Sequence, residues 1–177
     1  IQITWVINFK TLTDQEQTNW ILHVMRILEQ NSCIRFQQRT NQASYALITG
    51  NADGCYANVG YWATRGVHIM NVARNNPGWG CMNGVVIAHE WLHVIGFFHM
   101  QSTYDRDNWS FWIINLGLPY EYDSCMHYGA FDFSSNGRTT IDALRVKLLF
   151  LFLGFESFQH KFKKVHFIYQ THLIFGH

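Results

Sequence analysis

Proline is almost absent from this 177-residue chain, with two in all, and charged residues make up only 14% of it. Pro-rich linkers and charge-dominated disorder are therefore excluded as its main state. Neither sign of charge prevails, since thirteen Lys and Arg face twelve Asp and Glu for a formal net charge of +1. That balance forms no basic stripe of the kind that nucleic acid or an anionic membrane selects, so neither is expected as a partner. Long apolar runs are missing too: the longest, Leu148 to Leu153, has six residues, where a membrane-spanning helix needs about twenty. Ile1 to Asn8 has neither a basic start nor a long apolar stretch, so no signal peptide is read there and a processed or truncated product is expected. What is present is a chain that is 48% hydrophobic, which suits one globular domain burying about 70% of its unfolded surface. Four cysteines allow three pairings and fit an oxidising, secreted or extracellular setting. Ten histidines are the signal to follow.

Thr13-Asp14-Gln15-Glu16 has the spacing of a capping box, and Trp20, Ile21, Val24, Met25 and Leu28 recur at three- and four-residue intervals. A helix is expected from Thr13 to Gln30. Cys33 to Phe36, Tyr45 to Thr49 and Val67 to Val72 read as strands, with turns at Arg39 to Gln42, around Gly54 and Gly60, and from Asn75 to Gly80. Val85, Val86, Ala88, Leu92 and Ile95 then mark a second helix, Gly84 to Ile95, stopped by Gly96. Strands and helices in this order predict an α+β domain. From Asp142 onward the pattern changes: seven of the fourteen phenylalanines fall between Phe150 and Phe175, and no period of 2 or 3.6 survives there. Residues 1–141 are read as the domain and 142–177 as a tail without an assigned structure.

The chemistry concentrates in His89-Glu90-Trp91-Leu92-His93-Val94-Ile95-Gly96-Phe97-Phe98-His99. On a helix His89 and His93 lie roughly 6 Å apart along the axis, on one face, so both imidazoles can reach one ion. Zinc takes nitrogen ligands at about 2.0–2.1 Å, which two residues of one turn can supply. Glu90 projects beside them as a proton acceptor for an activated water. Gly96 can take a positive φ and turn the chain so that His99 returns as a third ligand. Three histidines leave a coordination position open, as a catalytic zinc site requires. Requiring Gly96 and His99 in addition to His89, Glu90 and His93 lowers the odds of coincidence to the order of one in ten thousand. The other histidines, His23, His68, His127, His160, His166, His172 and His177, are read as surface or packing residues.

With those residues in place the chain resembles the metzincin metalloproteases, and within them the astacin family. Asp105-Arg106-Asp107 follows the third histidine at the family's spacing, and Pro119 to Tyr128 is similar to the family's segment ending Ser-x-Met-His-Tyr. Cys33-Ile34-Arg35-Phe36 and Gly54-Cys55 match further landmarks, so the resemblance covers Asn8 to Ile141. It implies a two-lobed fold with a mixed twisted sheet, an active-site helix and a Met-turn, and a zinc endopeptidase acting on extended protein or peptide substrates. It further implies that His89, His93 and His99 hold the zinc, that Glu90 is general base and acid, and that Met126 packs beneath the metal. Tyr128 would be an extra ligand that can swing away to donate to the oxyanion. A Cys55–Cys81 disulfide is implied as well, and the segment Val67 to Val72 is implied as the substrate-binding edge. Without the family, Met126 and Tyr128 read as core residues.

The chain departs from the family in several places. Met100 replaces the Glu that receives a processed N-terminus, and Thr103 replaces an Arg. About twenty residues are missing between Asn108 and Gly117, so the C-terminal lobe is expected to be incomplete, and the tail does not match. Cys33 lacks its family partner, which leaves a bridge to Cys125 open, although Cys125 reads as a buried thiol. An inactive zinc-binding relative serving as a binding or decoy module is the alternative reading.

Overall fold

The computed structural model describes residues 1–62, 64–100 and 124–141. The expectations for Thr103, Asp105 to Asp107, the shortened stretch 108–117, Pro119 to Asp123 and the tail 142–177 lie outside the described residues. Among the described residues the elements run β1 (Gln2–Ile7), α1 (Gln15–Gln30), β2 (Arg35–Gln38), β3 (Tyr45–Thr49), β4 (Cys55–Ala57), β5 (Val67–Val72) and α2 (Gly84–Ile95), with a 3₁₀ turn at Gly80–Met82 before α2.

The strands form one sheet in the order β2-β1-β3-β5-β4. β1 pairs in parallel with both β2 and β3, and β3 in parallel with β5, whereas β4 runs antiparallel on the far side of β5. Parallel neighbours need a crossover, and α1 supplies the one between β1 and β2. Ile21, Val24, Met25 and Leu28 of α1 are buried and join Ile3, Ile48, Met70 and Trp91 in one core. Trp20 lies at the edge of that packing, its indole N–H donating to the Met82 carbonyl at 2.7 Å. The architecture is the expected α+β arrangement, a mixed sheet with helices. No helix among the described residues is long and apolar enough to cross a membrane.

Four details correct the sequence reading. The cap of α1 is Asp14 rather than Thr13: its carboxylate accepts from the Glu16 and Gln17 amides, because Asp at the cap satisfies two orphan donors at once. β2 starts at Arg35, two residues later than expected, and β1 and β4 are strands the periodicity did not reveal. Val67 to Val72 is not an edge. It is enclosed by β3 and β4, which is why four of its six residues are buried; the edge strand on that side is β4.

Candidate metal centre and cleft

The helix α2 carries the site because its sequence gives it two buried faces. Ile87, Ala88, Trp91 and Val94 join the core, with the Trp91 ring 4.6 Å from that of Phe36. The opposite face presents His89, Glu90 and His93 to a cavity of about 690 Å³. Asn83 caps the start, its side chain accepting from the Val85 amide at 2.9 Å. Gly96 ends the helix at φ 119°, and its amide donates to Leu92 and His93. A Cβ there would meet only the Gly60 Cα, at 3.9 Å, so glycine is required for the backbone angle and not for space. The turn it makes brings His99 back over the helix.

His99 Nε2 lies 3.1 Å from His89 Nε2 and 3.0 Å from His93 Nε2, close to the roughly 3.3 Å separating neighbouring ligands of a tetrahedral zinc. His89 Nδ1 donates to the Cys125 carbonyl and His93 Nδ1 to the Phe97 carbonyl, both at 2.7 Å. Those partners fix the tautomers, leaving lone pairs on the two Nε2 atoms that face His99. One proton on His99 cannot satisfy both, whereas a shared cation satisfies all three nitrogens. The donor set fits a metal ion, and the three residues form a group able to hold one. Burial lowers the pKa of all three imidazoles, that of His99 to about 4, with the neighbouring histidines adding to the effect at His93 and His99. They are therefore neutral, as metal ligands must be.

Glu90 lines the same cavity and is only 4% exposed. Its Oε2 has no hydrogen-bond partner among the described residues, and burial pushes its carboxyl up to about 7. Tyr128 also lines the cavity, its ring 4.4 Å from that of His99. Burial raises its phenol, with the charges of Glu90 and Asp132 adding to this. Met126 is buried in the turn Ser124 to His127, whose closing bond runs from the His127 amide to the Ser124 carbonyl at 3.0 Å. The Met126 carbonyl accepts from the Met100 amide at 2.9 Å, tying this turn to the loop carrying His99.

Cys55 and Cys81 are joined in a disulfide that fastens β4 to the start of the site helix. Cys33 is an exposed thiol and Cys125 a half-buried one, so the bridge left open between them is not formed, and Cys125 is less buried than expected. His68 is a fully buried packing residue, as expected. His127 is instead part of the cleft lining. Sequence reasoning missed much of that lining, including Tyr56 and Ala57 on β4, Phe98 after the helix, and Asp132 and Phe133 beyond Tyr128. The two carbonyls that orient His89 and His93 were equally hidden, because a backbone acceptor has no signature in sequence.

Comparison with known proteins accords with this geometry. The astacin peptidase family model matches residues 2–115. Over 148 residues, 72% of this chain, it is 30% identical to the zinc metalloproteinase nas-23 of Caenorhabditis elegans, covering 27% of that protein. It is 30% identical to the low choriolytic enzyme of Oryzias latipes over 80% of this chain and 55% of that one. The chain thus spans about a quarter to a half of these relatives' length. Among solved structures, high choriolytic enzyme 1, a hatching enzyme zinc-protease of Oryzias latipes, superposes with a TM-score of 0.67 at 26% identity, over 96% of this chain and 90% of that one. The chain belongs to the astacin family.

Proposed function

We propose that this chain is a zinc-dependent endopeptidase that hydrolyses peptide bonds in proteins, working in an extracellular setting. The observation that carries the proposal is the convergence of three neutral imidazole nitrogens beside a buried carboxylate in one open cleft. His89, His93 and His99 would hold the metal, and Tyr128, which lines the same cavity with its ring 4.4 Å from that of His99, would be a further ligand. When bound, zinc supplies Lewis-acid polarisation of the scissile carbonyl and of an attacking water.

The chain's own residues do the rest. β4 ends the sheet and lines the cleft, so its outer edge can pair with an extended peptide in the manner of an added strand. Glu90 accepts the proton of the attacking water, and its raised pKa makes it competent to release that proton to the leaving amine near neutral pH. The Tyr128 phenol stays protonated at working pH and can donate to the developing oxyanion. Met126 supports the floor of the site. No covalent intermediate is needed.

The test is hydrolysis of a denatured protein by the chain loaded with one equivalent of zinc, alongside Glu90→Gln. Cleavage that vanishes in the variant and in excess phenanthroline supports the proposal. A zinc-loaded parent that leaves the substrate intact through long incubation would overturn it in favour of an inactive zinc-binding relative.

A further inference from the structure

Phe133 is the one non-glycine among the described residues with a positive φ, at 61°. A bulky side chain in that left-handed region is strained. Burial does not offset the strain, because the ring is 83% exposed. The surrounding loop imposes the conformation through its own hydrogen bonds. Asp132 Oδ2 accepts from the Gly129 amide at 2.8 Å, the Thr140 hydroxyl donates to the Asp132 carbonyl at 2.7 Å, and the Ser134 amide donates to the Phe131 carbonyl at 3.0 Å.

The strained backbone delivers the ring to the cleft. Phe133 lines the cavity, and its ring centroid is 5.1 Å from that of Tyr128 at an interplanar angle of 48°. Among the described residues Tyr128 therefore meets the rings of His99, at 4.4 Å, and Phe133. Strain at an exposed aromatic that meets a reaction-site phenol is the signature of a residue kept for position rather than for stability.

We propose that Phe133 is a positioning residue that holds the Tyr128 phenol in the cleft beside His99. The inference rests on the role given to Tyr128 above. Removing the ring takes away one contact that orients Tyr128, which raises the share of rotamers facing away from the oxyanion, so the loss falls on the chemical step and not on substrate binding.

The variant to make is Phe133→Gly, which removes both ring and strain, with Phe133→Tyr as the conservative rescue. Phe133→Gly in metal-free protein is expected to melt no lower than the parent, while kcat falls about three- to ten-fold, the worth of one aromatic pair, at unchanged KM. Phe133→Tyr restores kcat. In a Tyr128→Phe background the same Phe133→Gly change should cost less than about twofold, because the two residues act as a unit. An equal loss in both backgrounds, a rise in KM alone, or a lowered melting temperature would overturn the proposal. Tyrosine-labelled NMR of the metal-free chain decides the point without turnover: the Tyr128 ring signals should shift and broaden in Phe133→Gly, and unchanged signals refute the contact. A parent that hydrolyses nothing removes the peptidase reading, while the NMR result still accepts or rejects the clamp.

Discussion

Glu90→Gln separates two consequences of one buried carboxyl. The side chain is 4% exposed, its Oε2 lacks a partner among the described residues, and its pKa rises from 4.5 to about 7 by burial. Folding therefore favours its protonated form. That stabilisation is fully present below pH 4.5 and is lost as pH rises through 7, amounting to about 3 kcal/mol for such a displacement. Gln has the same shape and no charge, so the metal-free variant should be about 3 kcal/mol more stable than the parent at pH 8, and equal to it at pH 4. In a domain of this size that difference is a rise of about 6–12 °C in melting temperature at pH 8. Hydrolysis, by contrast, should fall about 10²- to 10⁴-fold for want of a proton acceptor. Calorimetry at the two pH values and a peptide-cleavage assay measure both. Equal stability of variant and parent at pH 8 would refute the burial argument, and retained cleavage would refute the assignment of the base.

Further outcomes follow from the same geometry. Metal-free Glu90→Gln should lose stability as pH falls from 6.5 toward 4, because the unfolded chain takes up protons that His89, His93 and His99 refuse while folded; thermal melts across that range measure the histidine effect, which in the parent is opposed by the protonation of Glu90. Gly96→Ala forces a side chain to φ 119° and should cost about 1–3 kcal/mol by denaturant unfolding, with weaker zinc binding because His99 is displaced. Replacing Cys55 and Cys81 by Ser opens a 26-residue span and should cost about 3 kcal/mol in the chain-entropy model, read as a drop in melting temperature. His99→Ala should weaken zinc binding by more than about a hundredfold in a competition titration with a chelator.

The parts of the molecule legible in the sequence are those whose determinants are local. The helix α2 runs from Gly84 to Ile95 as its apolar spacing and Gly96 require. The approach of His89, His93 and His99 is readable for the same reason, since one helical turn and one cap place all three. α1 needed only its cap moved by a residue, because Thr13 and Asp14 both have capping chemistry and only the fold decides between them. β4 is three residues directly after Gly54, too short for a period, and its existence depends on pairing with β5. That neighbour is also why Val67 to Val72 was misplaced: a strand's rank in a sheet is a long-range property, although its run of buried residues is the mark of an interior strand. Tyr128 came from its motif, whereas Phe133 carries a backbone angle that no motif records.

The central claim is that three imidazoles of this chain share one zinc ion. X-ray absorption at the zinc edge, on protein loaded with one equivalent, tests it most directly. The account predicts three histidine nitrogens at about 2.0–2.1 Å with oxygen completing the shell, reduced to two histidines in His99→Ala. A shell without imidazole scattering, or a parent spectrum unchanged by His99→Ala, would contradict it.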